Sequence, residues 1–185
     1  MSKAVLISTQ PKWCELIASG KKTIEVRKTR PKIEIPFKCY IYQTKRTWIY
    51  DIYSRIADWQ GKIIGEFVCD NIFPMSITYS DPNNRLATRE FPYTCLTDKQ
   101  IIDYLGNGKR GYGWHISDLV VYDEPKDIGE FYKGGMLSYD DWLYGIYNGN
   151  GGARSSYESY KNAFKLSKAP QSWCYVEEVM DERKG

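Results

Sequence analysis

The stretch PKWCELIASGKKTIEVRK, residues 11–28, decides the fold. Apolar side chains recur in it at the spacing of one buried helix face, at Trp13, Leu16 and Ile17. Pro11 suits the first position of a helix, and Gly20 supplies the left-handed residue that commonly ends one. The pattern therefore predicts a short helix over Pro11–Ser19, with Trp13 facing the core.

The residues Thr23–Lys28, which follow this helix, alternate in polarity. Alternation is the pattern of a strand with two different faces. Ile24 and Val26 lie on one face of the predicted strand. Glu25 and Arg27 lie on the other, so that face carries an acid and a base side by side.

Other segments fill out the fold. Five of them are rich in β-branched or aromatic residues and predict strands: Ala4–Ser8, Phe37–Gln43, Lys62–Asn71, Trp114–Tyr122 and Trp173–Val179. A second helix is predicted over Asp98–Leu105, because Thr97 and Gln100 can form a capping box. Strands outnumber helices and do not follow a repeating βαβ series, which favours an α+β fold with a small mixed sheet or barrel.

The composition indicates one globular domain. Of the 185 residues, 42% are hydrophobic and 15% aromatic, which is enough apolar surface to form a core. We expect residues 1–185 to form a single domain with an insertion at about 132–166, before the last strand. Within it, Ser138–Tyr147 begins with a good N-cap and predicts a short helix that packs on the rest of the domain through Trp142 and Tyr144.

Composition also argues against several classes of protein. No apolar run approaches the roughly 18 residues of a membrane-spanning helix, and the first residues, MSKAVLISTQ, are too polar for a secretory signal. We therefore expect a cytoplasmic protein with no membrane partner. The 5 cysteines are widely spread without a C-x-x-C pair, and His115 is the single histidine. We expect no metal and no cofactor, and a catalytic triad could be built only around that histidine.

Charge divides the chain unevenly. Residues 1–62 contain 13 Lys or Arg and 5 Asp or Glu, a net charge of +8, whereas residues 63–185 contain 13 and 18, a net charge of −5. A strongly basic segment indicates an anionic partner. The basic side chains are densest at Lys21, Lys22, Arg27, Lys28, Arg30 and Lys32.

The predicted helix leads into the pattern G-x-K-x-x-E-x-R, formed by Gly20, Lys22, Glu25 and Arg27. This pattern, between a helix and a strand, resembles the signature of the ASCH domain, a member of the PUA-like superfamily.

Later segments extend the resemblance. Three of them are similar to a recurrent bacterial and phage version of the ASCH domain: GYGWHI at 111–116, LVVYDEPKDIGEF at 119–131 and PQSWCYVEE at 170–178. The resemblance covers most of residues 3–131 and 168–179, and it leaves 132–166 without a counterpart.

The ASCH resemblance implies both a fold and a class of ligand. It implies a PUA-like, partly open β-barrel with flanking helices and a cleft beside the first helix, into which the motif residues project. With the insertion, the expected fold is an α+β barrel of this type with a C-terminal helical insertion. The resemblance also implies a link to RNA or to modified nucleotides, since ASCH relatives include hydrolases of N4-acylated cytidine and proposed ribonucleases. Those acylcytidine hydrolases carry Thr, their nucleophile, where this chain has Glu25.

We interpret the chain first as a protein that binds RNA or a nucleotide-like ligand in a basic, aromatic-lined cleft. In this interpretation Lys22 and Arg27 contact phosphate or base oxygens, and Glu25 accepts a hydrogen bond from an exocyclic amine of a base such as cytosine. Tyr112 or Trp114 stacks on a base. Three more basic residues flank the groove: Lys28, Arg30 and Lys32.

Two alternatives remain open. The first is a hydrolase in the same cleft, similar to an N4-acylcytidine amidohydrolase or a ribonuclease. Glu25 would then act as general base, Lys22 would stabilise the oxyanion, and His115 would donate a proton. The second is a protein-interaction module whose partner binds the aromatic-rich insertion at 132–166.

Overall fold

A computed structural model describes residues 3–45, 57–77, 91–147 and 156–179. In these residues the chain forms eight strands and four helices. In chain order they are β1 (Lys3–Thr9), α1 (Pro11–Ala18), β2 (Ile24–Arg27), β3 (Phe37–Gln43), β4 (Ile63–Cys69), β5 (Ile72–Met75), α2 (Asp98–Leu105), β6 (Gly111–His115), β7 (Ser117–Lys126), α3 (Tyr139–Tyr147), α4 (Tyr157–Phe164) and β8 (Trp173–Glu177).

The strands form two sheets. The larger has the order β7-β4-β3-β1-β8, and the smaller has the order β2-β6-β5. β1 and β3 pair in parallel, whereas the other ladders are antiparallel. The α+β class is thus confirmed. Within the described residues no ladder joins the two sheets into a barrel, so the expected partly open barrel is supported only as two sheets around a shared core.

That shared core lies between the two sheets. It contains residues of β1, β3 and β4 from the large sheet, Trp114 from the small sheet, and Cys14 and Ile17 from α1. Phe37 of the large sheet meets Trp114 edge-to-face, with ring centres 6.0 Å apart. Burying two large rings and their aliphatic neighbours from both sheets fixes how the sheets face each other.

The outer faces of both sheets are also covered. Phe131 packs on Tyr40 of the large sheet, with ring centres 4.8 Å apart. On the small sheet, α2 packs its buried residues against Ile24 and Val26. The predicted alternation in β2 is therefore confirmed, because these two side chains face α2 while Glu25 faces the other way.

Most elements lie where the sequence predicts them. The strand β3 and the helix α2 match their predicted bounds, and the capping box of Thr97 and Gln100 is present. Gly20 follows α1 with a φ of +72°, the left-handed conformation that glycine adopts most easily.

The predicted strand over Trp114–Tyr122 is wrong in one respect. It is interrupted at Ile116, so that β6 belongs to the small sheet and β7 to the large one. The backbone N–H of Ile116 donates to the carbonyl of Thr23, at the end of the small sheet, and Asp118 takes a positive φ of 46° as β7 begins. A β-rich run of residues can therefore cross between sheets without a loop.

The strand β5 was not predicted, because Pro74 lies in it. Proline cannot donate a ladder hydrogen bond, which normally excludes it from the middle of a sheet. β5 is the last strand of the order β2-β6-β5, and an edge position tolerates this loss.

The helices α3 and α4 lie in the predicted insertion. Trp142 packs on the rings of Tyr139, Tyr157 and Tyr160 rather than on the sheets. The side chain of Tyr144 is 72% exposed, so its predicted packing on the rest of the domain is wrong. The Glu177 carboxylate of β8 accepts hydrogen bonds from two backbone N–H groups at 135 and 136, which ties the start of the insertion to the large sheet.

Among the described residues, no helix is long and apolar enough to cross a membrane.

Candidate functional site

A cleft of about 1120 Å³ opens at the free edge of β2. Four parts of the chain converge there: the end of β1 with the start of α1, the strand β2, the helix α2, and the loop before β8. The lining includes Ser8, Thr9, Gln10, Trp13, Lys22, Glu25, Arg27, Lys28, Thr29, Gln100, Asp103, Tyr104, Pro170 and Ser172. The three charged residues of the sequence motif are thus brought together in one concavity.

Lys22 is held at the base of this cleft. Its side chain is only 2% exposed. The ammonium donates to the carbonyls of Ile24 and Thr94, each at 2.7 Å, and lies 3.3 Å from Glu25 Oε2. Two backbone carbonyls thus accept hydrogen bonds from the ammonium, and Glu25 neutralises its charge. Lys22 therefore anchors the site, and its charge is already paired within the protein.

Arg27 joins β2 to the opposite wall. Its Nη1 donates to the carbonyl of Ser172 at 3.0 Å, and its Nη2 donates to the carbonyl of Ser8 at 3.0 Å and to Thr9 Oγ1 at 3.1 Å. Nη2 also lies 2.8 Å from Glu25 Oε1. The guanidinium is buried, and its Nε has no hydrogen-bond partner among the described residues.

Glu25 lies between these two cations. Each carboxylate oxygen meets one of them, and the residue is 7% exposed. The acid and the base predicted on one face of β2 form, together with Lys22, a buried Lys22–Glu25–Arg27 triad, which we call the motif triad. A carboxylate oxygen has more than one lone pair, so Glu25 can still accept a hydrogen bond from a ligand in the cleft.

Cys14 lies close to the motif triad but cannot serve as a nucleophile. Burial, and secondarily the charge of Glu25, raise the pKa of its thiol well above the usual value. Its Sγ is 3.5 Å from the carbonyl of Thr9, within the core of the protein. A protonated, buried thiol is inert.

Of the three other predicted basic residues, Lys28 lines the cleft, whereas Arg30 and Lys32 do not. Lys28 is exposed and lines the cleft, with Nζ 5.2 Å from the ring centre of Tyr104. Arg30 is exposed, and its guanidinium carbon lies 5.8 Å from the ring centre of Tyr112. The side chain of Lys32 is also exposed. These cations are free to contact a ligand that extends out of the cleft.

His115 is not in the cleft. Its Nδ1 lies 2.6 Å from Asp70 Oδ1, and both side chains are substantially exposed. Although partial burial opposes it, the hydrogen bond and charge of His115 hold the pKa of Asp70 below its usual value. The structure therefore does not bring the histidine to the motif triad.

The aromatic residues of GYGWHI are also outside the cleft. Trp114 is fully buried in the core, so its predicted stacking on a base is wrong. Tyr112 is half-buried and does not line the cleft. The neighbouring Gly113 serves packing, because a Cβ there would lie 2.6 Å from the ring of Phe73.

Two other rings line the cleft. Trp13, predicted to face the core, is half-buried and borders the cleft from α1. Tyr104 borders it from α2 and is 37% exposed. An aromatic residue on the polar face of an amphipathic helix was the available signal for Tyr104. For Trp13 the helical spacing pointed to the core.

Among the described residues, no three His, Cys, Asp or Glu side chains lie close enough together to hold a metal ion.

Comparison with known proteins agrees with this fold. Residues 7–91 match the model of the ASCH domain family. No curated protein matches the sequence.

In structure, the chain is similar to ASCH from Zymomonas mobilis, with a TM-score of 0.51 and 22% identity over 68% of this chain and 73% of that one. Two single-substitution variants of the same protein give TM-scores of 0.51 and 0.50, with 20% and 21% identity. They cover 69% and 67% of this chain, and 77% and 73% of their own. At this identity the likeness shows the fold. Residues 7–91 are thus similar to the ASCH domain family, which belongs to the PUA-like superfamily and is associated with RNA binding.

Proposed function

We propose that this protein binds RNA in the cleft at the free edge of β2. One observation carries the proposal: a buried carboxylate, Glu25, lines a cleft that is also lined by the exposed Lys28, and Lys28 begins the basic segment 28–32. A nucleotide offers hydrogen-bond donors on its base and negative charge on its phosphate. The acceptor inside and the cations outside complement these two parts.

Inside the cleft, Glu25 accepts hydrogen bonds from the N–H groups of a base. Carboxylates pair in this way with the exocyclic amine of cytosine. Lys22 and Arg27 hold the carboxylate in place through the contacts described above. Their role is therefore to orient Glu25, which revises the expected direct contacts of Lys22 with phosphate.

Outside the cleft, Lys28, Arg30 and Lys32 contact the RNA backbone. All three side chains are exposed, and they follow β2 directly in the chain. Arg30 lies over Tyr112, so this pair offers the RNA a cation and an aromatic ring together. The excess of positive charge in residues 1–62 supports an anionic polymer as the partner.

The hydrolase alternative has less support. Its proposed proton donor, His115, contacts Asp70 instead of the motif triad. Its proposed oxyanion contact, Lys22, donates to two backbone carbonyls and is paired with Glu25. We therefore favour binding over turnover.

The test measures the affinity for a short single-stranded RNA as a function of salt. Each phosphate contact contributes about −0.7 to the slope of log K against log salt for single strands. A variant with Lys28, Arg30 and Lys32 changed to Gln should bind more weakly and flatten the slope by about 2. The control changes Lys3, Lys133 and Lys165, which are exposed and do not line the cleft, to Gln.

The control removes the same amount of positive charge. A larger loss of RNA affinity in the Lys28, Arg30 and Lys32 variant than in the control therefore reports lost contacts and not the lower net charge. Equal losses in the two triple variants, or no binding of wild type at low salt, would overturn the proposal.

A further inference from the structure

We infer that the cleft takes one unpaired base, stacked on Trp13 and Tyr104 with its polar edge toward Glu25 and its phosphate outward. The protein would then select single-stranded over double-stranded RNA. This inference rests on the proposed function and adds the orientation of the nucleotide and the residues that select it.

The two rings approach the cleft from different sides. Trp13 belongs to α1, whose buried residues pack in the core with Trp114. Tyr104 belongs to α2, which packs against Ile24 and Val26 on the opposite face of the small sheet. Because β2 is the edge strand of that sheet, its free edge lies between the two helices. A flat ligand at this edge has an aromatic side chain available from each helix.

The interior of the cleft excludes phosphate. The Glu25 carboxylate repels an anion, and the ammonium of Lys22 already donates to the carbonyls of Ile24 and Thr94 and forms an ion pair with Glu25. The terminal nitrogens of Arg27 likewise donate to protein acceptors. The acceptor lone pairs left on Glu25 match the N–H donors of a base edge. The base, and not the phosphate, therefore lies in the interior of the cleft.

The phosphate has partners at the cleft mouth. Lys12 Nζ lies 4.8 Å from the ring centre of Trp13, and Lys28 Nζ lies 5.2 Å from that of Tyr104. Both lysines are exposed. Each ring thus has an exposed, flexible cation over it. When a base takes the place of the ammonium on the ring, the same lysine can turn outward to the phosphate of that nucleotide.

Strand selection follows from this orientation. In a duplex the polar edge of each base is paired and its faces are stacked on neighbours, so neither Glu25 nor the rings can reach them. In a single strand both the edge and the faces are accessible. Each base–aromatic stack contributes about tenfold to a hundredfold in affinity.

The experiment compares one labelled single-stranded RNA with the same RNA annealed to its complement. Wild type should bind the single strand more tightly, and that RNA should quench tryptophan fluorescence. Trp13→Leu and Tyr104→Leu should each weaken single-strand binding about tenfold or more and leave duplex binding unchanged. Trp13→Phe, which keeps an aromatic ring, should retain most of the affinity.

The matched control is Tyr93→Leu, because Tyr93 is 56% exposed and does not line the cleft. It should bind like wild type. If wild type binds both RNAs equally and the Trp13 and Tyr104 variants bind like wild type, while the rim variant of Lys28, Arg30 and Lys32 still loses affinity, this inference is wrong and the proposed function stands. If neither RNA binds wild type, both are wrong.

Discussion

Arg27 Nη2 forms an ion pair with Glu25 Oε1 at 2.8 Å along one face of β2, and both side chains are buried. The pair is two residues apart on a strand, which places both on the same face. A buried ion pair contributes little net stability, but removing one partner leaves a charge uncompensated in the interior. The motif triad should therefore be sensitive to the loss of any member.

Lys22→Met should destabilise the protein by about 3 to 5 kcal/mol. Methionine keeps the length of the side chain but leaves the carbonyls of Ile24 and Thr94 without their donor and Glu25 with one cation. Urea unfolding measures the change. Lys21→Met is the control, because Lys21 is exposed and its change should stay within about 0.5 kcal/mol. Equal stability of the two variants would contradict the anchoring role of Lys22.

Trp114 should matter for stability and not for RNA binding. It is fully buried against Phe37 and Trp173, so Trp114→Ala should cost about 3 to 5 kcal/mol. Trp114→Phe keeps an aromatic core, and well below its melting temperature it should bind RNA with wild-type affinity. Weaker binding by a stably folded Trp114→Phe protein would show that this ring does contact the ligand.

The pair of Asp70 and His115 should give a small pH-dependent stabilisation. Burial raises the pKa of Asp70, but the hydrogen bond and the charge of His115 lower it by more. The pKa of Asp70 is therefore lower in the folded protein than in the unfolded chain. Its contribution is therefore present above the unfolded pKa, about 4, and is lost as pH falls through the folded pKa. Both groups are exposed, so the effect should stay below about 1 kcal/mol.

Thermal unfolding of wild type and Asp70→Asn checks this expectation. The variant should melt lower at pH 6, and the two curves should converge in acid as the pH falls through the lowered pKa of Asp70. A difference that persists unchanged in acid would mean that the aspartate acts through its shape and not through its charge.

β2 shows how much of the site the sequence can predict. The placement of Glu25 and Arg27 on one face needs only the period of a strand, which is local. The partners that immobilise the cations are not local. Lys22 reaches Thr94, 72 residues away, and Arg27 reaches Ser172, 145 residues away. No pattern within one segment specifies such contacts.

The two tryptophans Trp13 and Trp114 show where local patterns fail. Helical spacing assigns Trp13 to the buried face of α1, but the first turn of α1 follows the end of β1, where the cleft begins. Alternation around Trp114 does not tell which of the two strand faces is buried. The packing of the other sheet decides that the face carrying Trp114 lies in the core. Which apolar residue becomes a ligand contact thus depends on how the two sheets meet.

Glu25→Gln separates a binder from a hydrolase. Glutamine keeps the shape and an acceptor oxygen, but it removes the charge that Lys22 and Arg27 neutralise. In a binder, RNA affinity should fall by roughly tenfold, because glutamine keeps one acceptor oxygen for the base but loses the charge-assisted hydrogen bond. In a hydrolase with Glu25 as general base, binding should persist while turnover falls by about 10² to 10⁴. Thermal unfolding of the variant establishes first that it is folded.

The measurement incubates wild type and Glu25→Gln with N4-acetylcytidine and with short RNAs, and follows deacylation and strand cleavage by mass. We expect no turnover of either substrate by wild type, because Glu25 replaces the expected Thr nucleophile, His115 contacts Asp70, and the Cys14 thiol is buried. Turnover by wild type that is lost in Glu25→Gln would make the cleft an active site with this carboxylate as its base. Turnover that survives the substitution would place the catalytic group elsewhere, because an amide cannot take up the proton.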